Sequence, residues 1–444
     1  MNRCSVLGMS MAACLLAGCQ SAAPAGSDAP RTANTAVSDA VPVSLTNQDG
    51  KWQISRDGEP YFIKGAGGSA DFAYLASVGG NSVRTWSTDN AARVLDEAHE
   101  QGLTVMLGLS LGKERHGFDY DDEQAVAEQF DRVRKTVLKF KDHPALLTWG
   151  IGNEVDLFYT NTNVWYAVQE IAAMIQELDP NHLVTTVVAG INQEKADLIA
   201  QRVPDIDYLS INIYGGLETL PQTLDSIGYD DAYVVTEWGP TGHWEVQKTE
   251  WDAPIEQTST QKAAIYQERY QRGIAAASDQ ALGSYAFLWG QKQETTPTWY
   301  GVFTESGKPN EVVDTLEYLW TGNWPSVRAP SINQFTLNGE VASDSVRVAA
   351  NSTVNAHVDV HVDEGQTVNY RWEILPESTD IKSGGDPESR PSAVTGRIVS
   401  HDGAGKMQFA APDKPGAYRL FVYAENRAGK VANANIPFWV FESE

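Results

Sequence analysis

The chain has 444 residues, 42% hydrophobic and 20% charged, a globular composition that excludes wholesale disorder. The length fits one large barrel plus a small module, or two to three domains of roughly 150 residues each. Fifty-eight acidic residues against 33 basic ones give a net charge of −25, which repels phosphate backbones and excludes a nucleic-acid partner. Of 13 Trp, all but Trp372 and Trp439 fall between Trp52 and Trp324, so that region is the one expected to handle a ligand.

The three cysteines are Cys4, Cys14 and Cys19, so neither a disulfide framework nor a Cys-based metal site is expected beyond residue 19. Arg3 precedes a short uncharged apolar run, 6–16, too short for a permanent bilayer span. The run ends in Leu16-Ala17-Gly18-Cys19, which resembles a bacterial lipoprotein lipobox. The resemblance implies a signal peptide over 1–18 and acylation of Cys19. With Gln at position 20 rather than Asp, it also implies anchoring in the outer membrane of a Gram-negative cell envelope. An ordinary secretory signal with an incidental Cys is the alternative. Residues 19–40 are rich in Ala, Ser, Pro, Thr and Asp, and read as a flexible tether.

The folded part begins with a hairpin signal, Asp57-Gly58 between two alternating runs. Strands and helices then alternate. Apolar runs at 61–66, 82–86, 104–109, 145–151, 183–188, 208–214, 233–236 and 283–289 predict eight strands. Helical stretches lie at 91–101, 123–140, 164–178, 194–202 and 262–277, with Asp89 and Asp121 as N-cap candidates. This pattern predicts an α/β fold, a (β/α)8 TIM barrel over 41–325. A doubly wound open sheet is the alternative; Gly65-Ala66-Gly67-Gly68 is not the Gly-rich phosphate loop it would carry. After a turn-rich stretch the texture changes to short alternating runs at 345–349, 354–362, 367–374, 406–411, 418–424 and 432–441. Turn clusters such as Ser383-Gly384-Gly385-Asp386-Pro387 separate them. Residues 326–444 therefore read as a small immunoglobulin-like β-sandwich, and its two Trp favour a spacer over a binding platform.

Barrel chemistry sits at the C-terminal ends of the strands. The fourth predicted strand ends in Trp149-Gly150-Ile151-Gly152-Asn153-Glu154, and the seventh in Val235-Thr236-Glu237-Trp238. A carboxylate just past a buried apolar run is costly unless it is paired or functional. Two such groups on separate strands suit glycoside cleavage, in which one protonates the leaving oxygen and the other stabilises or attacks the anomeric carbon. Taken singly, each Glu could instead be an acid at a helix N-terminus.

The Asn153-Glu154 and Glu237 pair at these strand ordinals resembles the glycoside hydrolase clan A pattern, over roughly residues 50–320. His143-Pro144-Ala145-Leu146-Leu147 before the GNE segment resembles the family 2 barrels. The Arg-bearing second strand and GNE fourth strand are similar to the family 72 β-1,3-glucanosyltransferases. The resemblance implies that Glu154 is acid/base and Glu237 nucleophile. It implies that Arg84, ending strand two, keeps Glu237 ionised, and that Tyr214, ending strand six, hydrogen-bonds it. Asn153 would bond the sugar 2-hydroxyl, and Trp289 would form the sugar floor. Trp86, Trp238 and Trp299 are open between stacking on sugar and filling the core. His116 and His243 could line the cleft, with a surface position the alternative. His357 and His361 share one strand face and lack a third metal ligand. Asp119-Tyr120-Asp121-Asp122-Glu123 reads as a charged helix start rather than a calcium loop.

These readings make the protein a retaining glycoside hydrolase or transglycosidase acting on β-linked glucan or a related polysaccharide, or on oligosaccharides. It would need no metal or organic cofactor, act as a monomer, and meet the membrane only through Cys19. The alternatives are an exo-acting β-galactosidase, mannosidase or glucuronidase, and a non-catalytic carbohydrate-binding surface lipoprotein.

Overall fold

The computed structural model describes residues 39–442. The signal peptide over 1–18, acylated Cys19 and the tether up to residue 38 lie outside the described residues. The described chain opens with a three-stranded antiparallel sheet, Val43–Gln48, Lys51–Arg56 and Glu59–Tyr61. Its turns, Asp49-Gly50 and Asp57-Gly58, have positive φ at both residues, the backbone twist that tight hairpins require. This sheet stoppers the N-terminal end of the barrel. Val43 N–H donates to Asn181 O at 2.8 Å, Trp52 N–H to Asp279 O at 2.7 Å, and Arg56 Nη2 to Pro144 O at 2.8 Å. Those acceptors lie just before barrel strands five, eight and four. Val43 and Ile54 pack with Met106, Leu147, Tyr208 and Tyr285 in one buried cluster. One end of the barrel is thereby closed, and chemistry is confined to the other.

Eight parallel strands close the barrel: Ile63–Gly67, Ser82–Arg84, Thr104–Leu109, Leu146–Ile151, Leu183–Ala189, Tyr208–Asn212, Tyr233–Trp238 and Ala281–Ala286. All eight expected strands are present. Burial on both faces is why they read as near-continuous apolar runs. Three stop short of the expected end. Strand two stops at Arg84, strand six at Asn212, and strand eight at Ala286. Beyond Ala286 the chain leaves the ladder but stays buried, with Phe287 N–H donating to Trp238 O and Trp289 N–H to Gly67 O. Apolar composition alone does not separate such a segment from a strand. Strands eight and one approach closely at Gly283, where a Cβ would sit 2.2 Å from Ile63 O.

Outside the barrel lie the expected helices Ala91–Glu100, Glu123–Phe140, Val164–Leu178 and Gln193–Arg202. The stretch expected over 262–277 is helical from Ser259–Arg269 and continues through a π turn, Tyr270–Ile274, into a 3₁₀ turn, Ala275–Ala277. Helices Phe72–Ser77, Leu220–Ser226 and Glu311–Thr321 were not anticipated; the first two are under three turns long and carry no readable period. The N-caps also shift by one residue. Asp122, not Asp121, accepts from Gln124 and Ala125 N–H, and Asn90 rather than Asp89 precedes the helix at Ala91.

The C-terminal part forms two four-stranded sheets packed face to face. One orders Ser331–Leu337, Thr353–His361, Lys406–Ala410 and Ile398–His401. The other orders Arg347–Ala349, Val431–Phe441, Gly416–Asn426 and Val368–Pro376. The strand Ile398–His401 is exposed along its length, so it lacks the alternation that marks the others. Buried polar contacts weld this sandwich to the barrel. Asn435 Nδ2 donates to Glu256 at 2.6 Å, Arg419 to Pro254 O at 2.8 Å, and Lys430 to Asp314 at 2.5 Å. Glu256 is itself sealed in an ion pair with Lys262 at 2.6 Å. Lys262→Met strips the cation from that buried carboxylate. Urea denaturation should show a loss of about 3–5 kcal/mol, the usual result of breaking a buried pair from one side.

Candidate active site

Past Ile151 the fourth strand turns through Gly152, at φ +70°, into Asn153 and Glu154. Glu154 has φ +49°, a left-handed conformation that a β-carbon disfavours. Its N–H donates to Val187 O at 2.9 Å, and Gly152 N–H to Leu109 O at 2.8 Å. The turn is therefore tied to both neighbouring strands, which hold a strained residue in place. Glu237 sits inside strand seven, opposite Asn212 of strand six, and is 7% exposed.

Three donors converge on Glu237. Arg84 Nη1 lies 3.0 Å from Oε1, Trp86 Nε1 lies 2.6 Å from the same oxygen, and the Tyr214 hydroxyl reaches Oε2 at 3.1 Å. An ionised carboxylate, which only accepts, matches this set. Arg84 is fully buried and also donates to Thr236 O at 2.6 Å and to Asn153 Oδ1 at 2.5 Å. Burial and the charge of Glu237 hold the Tyr214 phenol far above its ordinary pKa, so it stays a donor.

Glu154 sees the opposite environment. No cation pairs with it among the described residues, and Asn212 Nδ2 donates to Oε1 at 2.9 Å. Burial first, and the charge of Glu237 second, push its pKa up to about 7, while the Asn212 bond pulls the other way. Asn212 Oδ1 in turn accepts from Thr236 at 2.9 Å. Asn153 Oδ1 accepts from both Arg84 and Asn212, which leaves its amide NH₂ as the donor facing the cavity that it lines.

The site opens into a cavity of about 1170 Å³ lined by Glu154, Glu237, Asn153, Asn212, Trp86 and Tyr214, among others. The structure thus brings Glu154, Glu237, Arg84, Asn153 and Tyr214 together. It does not bring Trp289, Trp238 or Trp299 to the cavity. Trp289 is buried against Tyr74 and Phe303, at ring distances of 6.0 and 5.0 Å. It lies three residues past the strand end, with its ring in the apolar layer between the barrel and its helices. Trp238 follows Glu237 on the strand, so alternation points it outward, onto Tyr266 and Tyr270. Trp299 packs behind His243 and Tyr300 and donates to Thr241 O. Phe287, Tyr300 and Trp86 take their place on the cavity wall; Phe287 is in edge-to-face contact with Trp86, Tyr300 and Tyr214, and Tyr300 with Tyr214.

His116 and His243 both line the cavity, His116 from an exposed position and His243 half-buried. Burial, helped by Lys248 and Lys292, lowers the His243 pKa to about 4 and keeps it neutral. His357 lies on the exposed face of its strand, and the acidic run at 119–123 serves the helix through Asp122. Asn212 was missed, although its strand-end position was a usable signal. The segment Ser383, Gly384, Gly385, Asp386 and Pro387 also lines the cavity, though it belongs to the sandwich.

The geometry is that of a two-carboxylate barrel, and the comparisons place it in a family. Residues 68–344 match the family described as "Glycosyl hydrolases family 2, TIM barrel domain", and the chain belongs to that family. A Beta-glucuronidase of Paenibacillus borealis is 22% identical over 285 residues, covering 57% of this chain and 46% of that protein. A Mannan endo-1,4-beta-mannosidase F of Aspergillus clavatus is 30% identical over 91 residues, 20% of each chain. Among solved structures, Bacteroides uniformis beta-glucuronidase 2 is similar with a TM-score of 0.50 at 13% identity, covering 90% of this chain and 48% of that one. The Faecalibacterium prausnitzii Beta-glucuronidase also gives 0.50, at 17% identity, covering 63% and 52%. The chain spans about half the length of these glucuronidases, and at these identities the structural likeness concerns the fold.

The two dominant local influences on Glu154 have opposite signs, which gives a direct test. Asn212→Ala removes the bond that favours the carboxylate, so Glu154 should hold its proton to higher pH. Glu237→Gln removes a negative charge, so Glu154 should lose its proton at lower pH. ¹³C NMR titration of the Glu154 carboxyl reads both shifts without needing a substrate.

Proposed function

We propose that the protein is a retaining glycoside hydrolase or transglycosidase acting on β-linked saccharides by double displacement. One observation carries this reading: two carboxyl groups share a cavity, one ringed by three donors, the other buried and shifted to about 7. Such divergence separates nucleophile from acid. Glu237 attacks the anomeric carbon while Glu154 gives its proton to the leaving oxygen. Forming the glycosyl ester removes the charge on Glu237, so the pKa of Glu154 falls and it can serve as base for water or an acceptor sugar. Arg84 and Trp86 hold Oε1 of Glu237, which leaves Oε2, shared only with Tyr214, as the attacking atom. The NH₂ of Asn153 is placed to bond a sugar hydroxyl.

For the substrate, a β-linked glucan or related polysaccharide is one reading, and the exposed Trp244 and Phe158 beside the cavity would stack on such a chain. Removal of terminal units, as in a galactosidase, mannosidase or glucuronidase, is the second, favoured by a cavity walled on one side. The donors converging on Glu237 speak against a purely carbohydrate-binding role. We also propose that Cys19 carries a lipid anchor to the cell envelope, on the strength of the Leu16-Ala17-Gly18-Cys19 motif. Labelled palmitate should enter the wild-type protein in a bacterial host and be absent from Cys19→Ser.

The roles of the two glutamates separate with activated aryl glycosides, whose leaving group needs little protonation. Glu154→Ala should release phenolate in a burst and then stall as the glycosyl-enzyme. Azide should restore turnover and yield the β-glycosyl azide. Glu237→Gln should show neither burst nor β-azide. A β-azide from Glu237→Gln and none from Glu154→Ala would exchange the two assignments.

A further inference from the structure

The sandwich is more than a spacer. Its segment 383–387 leaves the domain and crosses to the mouth of the barrel. On one side, Lys292, after strand eight, donates to Gly385 O at 2.7 Å, and Thr295 N–H donates to Glu388 at 2.6 Å. On the other, Arg115, after strand three, donates to Ser383 O at 3.0 Å and to Gly384 O at 3.3 Å. His116 Nε2 bonds Asp386 at 2.8 Å. The segment is packed as well as bonded. A Cβ on Gly384 would meet Arg115 at 2.6 Å and Leu157, after strand four, at 2.7 Å, and the residue has φ +63°. One stretch of sandwich is thus pinned to the loops after strands eight, three and four, and five of its residues line the same cavity as Glu154 and Glu237. No such bond joins it to Gly190, Tyr214 or Trp244, after strands five, six and seven, among the described residues. On that side Trp244 is 57% exposed.

We propose that this arm is the end wall of the substrate cleft, supplied by the C-terminal domain, and that it restricts the site to the end of a saccharide chain. This rests on the catalytic reading above. A chain running through the cleft would have to occupy the space of the arm, whose backbone carbonyls are already committed to Arg115 and Lys292. A terminal sugar stops short of it, and the rest of the chain leaves past Trp244. The arm acts by exclusion, as a clash built against one class of substrate.

The test uses the full chain with Arg115→Ala, which removes the strand-three anchor, and Gly384→Val, which pushes the arm off Arg115 and Leu157. Hydrogen–deuterium exchange across 380–390 reports whether the arm has been released. Para-nitrophenyl β-glycosides of glucose, galactose, mannose and glucuronic acid identify the accepted sugar. A reducing-end-labelled tetrasaccharide of that sugar then reports where cleavage falls. The wild type should release single terminal units. Arm release should add internal cleavage and raise the tetrasaccharide-to-aryl-glycoside rate ratio about tenfold, as removal of a steric block does. Internal cleavage by the wild type, or a released arm with an unchanged ratio and product pattern, overturns the proposal. The catalytic reading fails separately, if aryl glycosides are inert or their cleavage survives Glu237→Gln. In that case calorimetry with β-glucose and β-mannose oligosaccharides decides the role of the arm. Its release should strengthen tetrasaccharide binding relative to the monosaccharide, and an unchanged ratio rejects the wall.

Discussion

A guanidinium sealed at the mouth of a barrel must have every reachable oxygen turned toward it, and Arg84 organises the site by that demand. It sits on strand two and collects Glu237 and Thr236 from strand seven, Asn153 from beyond strand four and Asn212 from strand six. Burying an arginine with one carboxylate is costly unless further acceptors meet its donors. The carbonyl of Thr236 and the two amide oxygens do this for the two terminal nitrogens, while Nε has no partner among the described residues. The same contacts orient the two Asn side chains, so their amide groups point at Glu154 and into the cavity. One ion pair therefore fixes Glu237 directly and Glu154 through Asn212.

This arrangement also explains how two nearby carboxyl groups come to differ. Glu237 receives the cation and both aromatic donors, whereas Glu154 receives one neutral amide and the field of its neighbour. Neither environment could be moved to the other residue without relocating Arg84, because its reach from strand two extends to strand seven across the barrel interior. The left-handed backbone at Glu154 adds a second constraint. It turns the side chain back over the mouth, and the N–H bond to Val187 keeps it there.

The sequence made the barrel legible because each strand is buried on both faces and each carboxylate interrupts an apolar run. Glu154 and Glu237 were readable for that reason: a carboxylate at the end of a buried strand is conspicuous. Arg84, Asn153 and Tyr214 came from the resemblance to the clan A pattern instead. Trp238, Trp289 and Trp299 were not, because an indole is equally at home in a cleft and in a core. Only the turn after Ala286 and the outward alternation after Glu237 decide the matter. Asn212 was hidden beside the more obvious Tyr214. The arm was hidden for a different reason. Ser383-Gly384-Gly385-Asp386-Pro387 has the composition of a turn, and nothing local tells a turn at the domain surface from one that reaches 270 residues back to His116. Long-range placement belongs to the docked domains, which Glu256, Lys262, Arg419 and Asn435 lock together.

The small hairpin sheet at the bottom of the barrel has a consequence at the top. With Val43 and Ile54 packed into the N-terminal end and Met106, Tyr208 and Tyr285 filling the interior, nothing can leave through the barrel. If the arm walls one side as proposed, a freed sugar would have to depart through the same opening by which the next chain arrives. Departure of the first and arrival of the second would then be mutually exclusive. Accumulated monosaccharide would slow the reaction by occupying the doorway, and turnover on a concentrated substrate would be set by how quickly the cleft empties.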